Sequence, residues 1–343
     1  QDRKPITKER LSKLTQAIDK MPTKPAIFPL FHKLYPAKPM HTSEVNPKKL
    51  KNKVVGIMRK KVQACMEGDL KSTPEAVYKA IAFSALEIDE VSQTSLKQGQ
   101  CEEWYHQKAG FISASNCKQV FTRQTTIEKN KPNTDVSCLV KLITDPKLPP
   151  TIGQTPQDPQ HPLTWGLVNE KNARDAYQHV ERHNHHNLRL LHKGFLISRK
   201  EKFLGASPDD IRTCQCSEGC PNVVVEYKCP WKHRELHPKQ AFLTKEIGGA
   251  ESNGTFYLTP NTKYYHQIQT LMFVAELCLC DFVVWTIQGI FSLQVCYDAK
   301  FMENVCKKLK LFWMTHVLPC IMKEASRNVQ SHLHGMCTYI FSV

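Results

Sequence analysis

The segment Val223-Val224-Val225-Glu226-Tyr227-Lys228 constrains this chain more than any other. Three successive Val residues argue for a buried strand. Side chains alternate along a strand, so Glu226 and Lys228 share one face and Tyr227 takes the other. A carboxylate and an ammonium at the end of an apolar strand are costly unless something compensates. A divalent cation beside Glu226 would do so.

A second carboxylate source lies upstream, in Gly205-Ala206-Ser207-Pro208-Asp209-Asp210. An Asp at the end of a neighbouring strand can share the same cation. Oxygen-only ligands suit Mg²⁺ or Mn²⁺, as one or two ions, rather than zinc. Such a site activates water and stabilises a phosphodiester's leaving oxygen. Lys228 would hold the water or neutralise charge developing on the phosphate. The plain alternative is a surface hairpin with an exposed Glu-Lys pair. Glu-x-Lys alone is too common to decide between them; after a Val run and a Pro-Asp turn it is much rarer.

The charge balance narrows the substrate. Lys plus Arg number 47 against 32 Asp plus Glu, a formal net charge of +15. A polyanion is the natural partner, because Lys and Arg gain affinity by releasing counterions from phosphates. The alternative is a basic protein that binds nothing anionic. The 14 Cys residues show no regular disulfide spacing, which points to a reducing compartment, nucleus or cytoplasm alike. The most apolar stretch, 268–291, is interrupted by Glu276, Asp281 and Gln288, so no membrane span is expected.

Punctuation divides the chain into a helical N-terminal extension with a Pro-rich linker (1–98), a core (99–324) and a weakly patterned tail (325–343). In the extension, Leu11, Leu14 and Ile18 recur at helical spacing, and Pro22 to Pro39 break the chain. A Lys-rich helix is predicted over 47–66, and another begins at Ser72-Thr73-Pro74-Glu75. Residues 104–115 predict a helix, a Gly110 turn and a new helix start at Ser113 or Ser115. Residues 132–162 read as loop with a short helix near 137–143, and 165–182 as a strong helix. Strand-length apolar runs cover 188–191, 195–197, 203–206 and 223–227. Helices follow at 238–247 and 264–278, strands at 282–287 and 291–297, and a helix at 299–323. The fold class expected is α/β: a central mixed β-sheet flanked by helices.

Five blocks, in one order, resemble the YqaJ-type viral recombinase nucleases. These are relatives of the phage lambda exonuclease within the PD-(D/E)XK superfamily, with its restriction-endonuclease-like core. The blocks are Trp104 to Ser115, Trp165-Gly166-Leu167-Val168-Asn169-Glu170, Gly205 to Asp209, Glu226 to Pro230, and Tyr264-Tyr265-His266-Gln267-Ile268-Gln269. The resemblance implies metal ligation by Asp209, Glu226, Glu170 and the Tyr227 backbone carbonyl. It implies that Lys228 is the catalytic lysine and that Gln267 lines the site. Lys108, Ser115 and Ser207 would contact the DNA end, including a 5′ phosphate. The activity implied is a Mg²⁺-dependent exonuclease that degrades one strand of linear duplex DNA 5′ to 3′. Two alternatives stay open: an endonuclease or single-strand nuclease on the same site, and a DNA-binding module with a dead site. Family members include ring trimers, and monomer and trimer are both open here.

Three departures stand out. Lys108 replaces the family's Arg and cannot offer a bidentate fork to phosphate. Asp210 replaces a Gly, which either adds a carboxylate to the site or shifts the turn. The segment from Asp209 to Glu226 is long and holds Cys214, Cys216 and Cys220. With Cys229 these thiols could bind one Zn²⁺, although free thiols are the favoured reading. The run His183, His185, His186 and His192 reads as a solvated helix end more than a metal site. Trp231 and Trp285 read as core residues.

Overall fold

The computed structural model describes residues 55–69, 71–129, 133–145, 161–216 and 219–340, with backbone alone at 163 and 331–340. The predicted first helix, the Pro-rich linker, the start of the Lys-rich helix and much of the 132–162 loop lie outside these residues.

The elements run α1 (Ile57–Gly68), α2 (Pro74–Ala80), α3 (Ala85–Thr94), α4 (Glu102–Lys108), β1 (Ile112–Ser113), α5 (Cys117–Glu128), α6 (Ser137–Thr144) and α7 (Pro162–Glu181). Then come β2 (Arg189–Leu191), β3 (Leu196–Ile197), β4 (Leu204–Ala206), β5 (Asp210–Thr213), β6 (Val223–Lys228), α8 (Pro238–Phe242), β7 (Gly249–Ser252), β8 (Thr255–Leu258) and α9 (Lys263–Ala275). The chain closes with β9 (Leu279–Thr286), β10 (Gly289–Cys296), α10 (Ala299–Phe312), a π-turn (Trp313–Val317) and α11 (Leu318–Ile340).

The central sheet has the order β10-β9-β6-β5-β2. It is mixed: β6 and β9 run parallel, and the other pairs are antiparallel. The Val run supplies the middle strand, and Val223, Val224 and Val225 are all fully buried. Their alternation splits the core. Val224 joins Ile268, Phe282 and Val284 on the α9 face, while Val225 and Tyr227 meet Ala173 and Tyr177 of α7 on the other. Each fully buried Val contributes about 1.5–3 kcal/mol relative to exposure. That is why the strand cannot slip by one residue without exposing one apolar set.

A second sheet, β1-β4-β3, sits beside the first. It corrects one expectation: residues 112–113 are strand, not a helix start, and α5 begins only at Cys117. Gly110 makes the predicted turn with φ +91, and a Cβ there would meet Met58 Cγ at 2.8 Å. Trp313 Nε1 donates to the Gly110 carbonyl at 2.8 Å.

The start signal at α2 works as capping chemistry, and α3, which the sequence reading did not mark, has a cap of its own. Thr73 accepts from Ala76 N ahead of Pro74, and Ser84 forms a capping box with Glu87. Helix α1 buries Met58 and Val62 in the same core cluster as Ile321 and Ala325 of α11. The described residues from Val55 onward thus form one unit with the core. The segment after 325, read as a weakly patterned tail, continues α11 to Ile340. No helix of the described residues is long and apolar enough to cross a membrane.

Candidate active site

The end of β6 carries the site. Glu226 is 2% exposed on the α9 face of the sheet. Its Oε1 accepts from Lys228 Nζ, two residues on, and from Gln267 Nε2 of α9 at 2.5 Å. Helix α9 is set by its Thr262 cap, which accepts from Tyr265 N at 3.2 Å. Of the two glutamines in Tyr264 to Gln269, only Gln267 reaches the site. Gln269 ties the end of β10 to α10, donating to the Cys296 carbonyl at 2.9 Å and accepting from Asp298 N at 2.7 Å.

Asp209 enters from the start of β5. Its Oδ2 accepts from the Tyr227 N–H at 2.7 Å, so this carboxylate is pinned to β6 between Glu226 and Lys228. Glu170 arrives from α7 and faces a cleft of about 480 Å³, whose lining also includes Lys228, Cys229, Trp231 and Tyr264. Trp231, read from the sequence as core, is half-buried on this cleft.

The electrostatics show three acids pressed together. Burial, with Glu226 opposite, pushes Asp209 up to about 8. Burial and the charge of Asp209 push Glu170 up to about 7. Burial also raises Glu226, against the pull of Lys228. For Lys228, burial disfavours the charge, but Glu226 and Asp209 outweigh it and hold the ammonium above its usual range. A single lysine does not satisfy the cluster: Glu226 Oε2 is buried with no hydrogen-bond partner. An orphaned carboxylate oxygen among raised carboxylates, with an oxygen-only donor set, fits a hard divalent cation.

Asp210 does not add its carboxylate to the site. It points to the opposite face, fully buried. There Arg174 of α7 grips it through Nε at 2.7 Å and Nη2 at 3.2 Å, and Tyr227 Oη donates at 3.0 Å. Asp210 thus moors the helix that carries Glu170. His192, dismissed with the His run, donates from Nδ1 to the Asp209 carbonyl at 2.8 Å. Neither contact is visible in spacing, because both partners are distant in sequence and polar.

The residues assigned to the DNA end also converge. Lys108 Nζ donates to Ser115 Oγ at 3.4 Å and lies 4.4 Å from the Trp104 ring centroid. Trp104 Nε1 donates to Ser207 Oγ at 2.8 Å. Burial lowers Lys108 to about 8. The Lys-rich helix is less free than its sequence suggests: Lys61 pairs with Glu87 at 2.6 Å and Arg59 with Glu324 at 3.0 Å.

The four cysteines do not converge as a set. Cys214, Cys216 and Cys220 gather beyond the far end of β5, but Cys229 follows Lys228 on the cleft. Burial pushes the Cys229 thiol up to about 12. The fourth member of the cluster is His185.

A mixed sheet whose central strand ends in Glu226 and Lys228, with Asp209 from its hairpin partner and helices on both faces, defines a PD-(D/E)XK-type core. The model of the YqaJ-like viral recombinase domain matches residues 103–277, just over half of the chain. The chain belongs to this family.

Solved structures similar to it include LHK-Exo, an alkaline exonuclease from Laribacter hongkongensis, in complex with dAMP. That chain is 20% identical with a TM-score of 0.44, over 67% of this chain and 99% of that one. The shutoff and exonuclease protein of Kaposi's sarcoma-associated herpesvirus is 12% identical with a TM-score of 0.43, over 76% and 79%. A phage-related exonuclease from Haemophilus somnus is 11% identical with a TM-score of 0.37, over 62% and 96%. A search of curated protein sequences returned no match.

Proposed function

We propose that this chain is a Mg²⁺- or Mn²⁺-dependent exodeoxyribonuclease that degrades one strand of linear duplex DNA from its 5′ end. The observation that carries the reading is the Glu226 carboxylate. One oxygen is clamped by Lys228 and Gln267, and the other is buried without a partner. Asp209, Glu226, Glu170 and the Tyr227 carbonyl would hold the cation. When bound, it supplies the acidity that activates water and the charge that stabilises the leaving oxygen.

The remaining work falls to the chain's own groups. The Tyr227 N–H and Gln267 fix the two strand carboxylates before substrate arrives, so no reorganisation is needed at the moment of reaction. Lys228 stays charged beside them and is placed to meet negative charge on the phosphate. Lys108, Ser115 and Ser207 form a polar group around Trp104 that suits a terminal phosphate. Lys108 offers that phosphate a point charge rather than a fork. The net charge of +15 favours the duplex backbone.

A time course on linear duplex labelled at the 5′ or the 3′ end, with and without Mg²⁺, tests the reading. Early release of 5′ label as mononucleotides, with 3′ label retained, is expected. Cleavage of closed circles at the same rate would replace the exonuclease with an endonuclease. Binding without Mg²⁺-stimulated turnover would leave only a DNA-binding module.

A further inference from the structure

Away from the carboxylates, His185, Cys214, Cys216 and Cys220 each place one ligand atom within 4.8 Å of the others. We propose that these four side chains bind one structural Zn²⁺, which staples the end of α7 to the β5–β6 connection.

The donor set selects the metal. Three thiolates and an imidazole suit a borderline-soft ion, and four protein ligands make a closed, structural site. The spacing agrees. Tetrahedral zinc, with Zn–S near 2.3 Å and Zn–N near 2.0–2.1 Å, places S and N about 3.6 Å apart. His185 Nδ1 lies 3.6 Å from Cys216 Sγ.

Local backbone supports the arrangement. The His186 N–H donates to Cys216 Sγ at 3.3 Å, a contact that favours thiolate. Gly219, at φ +67, donates its N–H to the Cys216 carbonyl at 3.3 Å just before Cys220. The Gln215 N–H holds the His186 carbonyl at 2.8 Å, tying the loop after α7 to the hairpin.

The outer contacts fit as well. His185 Nε2 lies 3.4 Å from Glu181 Oε2, the carboxylate that accepts the second ring proton when Nδ1 is the ligand. Arg212 also reaches Nε2. With Nδ1 as ligand, Nε2 would carry the proton and no longer accept from Arg212, whose guanidinium has other partners in Asp281, with Oδ2 3.2 Å from Nε, and Glu181. Binding releases the thiol protons to solvent.

The location gives the staple a purpose that rests on the proposed active site. Helix α7 carries Glu170 near its middle and leads to His185 beyond its C-terminal end. The β5–β6 hairpin carries Asp209 and Glu226 at one end and the three cysteines at the other. A metal at the far end fixes the relative position of both elements without touching substrate.

The test is metal analysis of the full chain, produced with zinc supplementation and dialysed before elemental measurement. About one zinc per chain is expected. Cys216→Ser, Cys220→Ser and His185→Ala should each lose most of it, while Cys229→Ser and Asp209→Asn retain it. Because the loss variants could misfold, His185→Cys, which keeps four ligands, should hold zinc. Wild type loaded with Co²⁺ should show a thiolate-to-cobalt charge-transfer band. A wild type without zinc or that band, a disulfide among Cys214, Cys216 and Cys220, or zinc that survives Cys220→Ser would overturn the site. Loss of DNA cleavage in Asp209→Asn with zinc retained would bear on the carboxylates alone.

Discussion

Cation affinity at the carboxylate cluster should depend steeply on pH, because the cation must displace protons held there by burial. Asp209 sits at about 8 and Glu170 at about 7. At pH 6 both are largely protonated, whereas at pH 8 Glu170 is ionised and Asp209 half so. If each group must lose its proton, the Mg²⁺ dissociation constant should fall about 500-fold between pH 6 and pH 8, roughly 4 kcal/mol. Calorimetric titration of the full chain with MgCl₂ at pH 6, 7 and 8 reads the affinity. Repeating each titration in buffers of different ionisation enthalpy counts the protons. About two should be released at pH 6 and fewer than one at pH 8. An affinity flat within about threefold over this range, with no proton release, would refute the reasoning.

The same shifts set a stability profile. Carboxylates whose folded pKa is raised stabilise the fold fully below their unfolded values near 4, and that contribution is lost as pH rises through about 7 and 8. The metal-free melting temperature should therefore fall across that window, recover on Mg²⁺ addition, and fall less in Asp209→Asn. Lys228→Ala should lower the cleavage rate about 10²–10³-fold with little change in DNA affinity, and an unchanged rate in a steady-state assay would remove Lys228 from the chemistry. Arg174→Leu leaves Asp210 buried without its guanidinium and should cost about 3 kcal/mol in urea unfolding; a midpoint like wild type would mean the pair does not moor α7. Gly110→Ala should cost about 1–3 kcal/mol in the same assay, since φ +91 and Met58 both oppose a Cβ.

What the sequence made legible follows from where its chemistry is local. The Val run fixed a central strand, and alternation placed Glu226 and Lys228 together on one face. The Thr73-Pro74-Glu75 start signal marked α2. The strand β5 escaped because its buried side chains Asp210 and Arg212 are charged, and their partners Arg174, Tyr227 and Asp281 come from other elements. The hairpin β7–β8 escaped because Gly249 to Ser252 is largely exposed and carries no apolar alternation. The partnership of His185 with the cysteines is likewise tertiary. Nothing in a run of histidines distinguishes the one turned toward three thiols. Asp210 was legible as unusual but not as a mooring, since its direction depends on the β5 pleat.

The most direct measurement is Mg²⁺-dependent cleavage of end-labelled linear duplex by wild type and by Glu226→Ala, compared at equal folded concentration. Removing the carboxylate that joins Lys228, Gln267 and the cation should reduce cleavage to the background seen with EDTA, while DNA binding persists. Cleavage by Glu226→Ala at the wild-type rate would contradict the account, because no other described group could then be said to hold the reaction at this strand end.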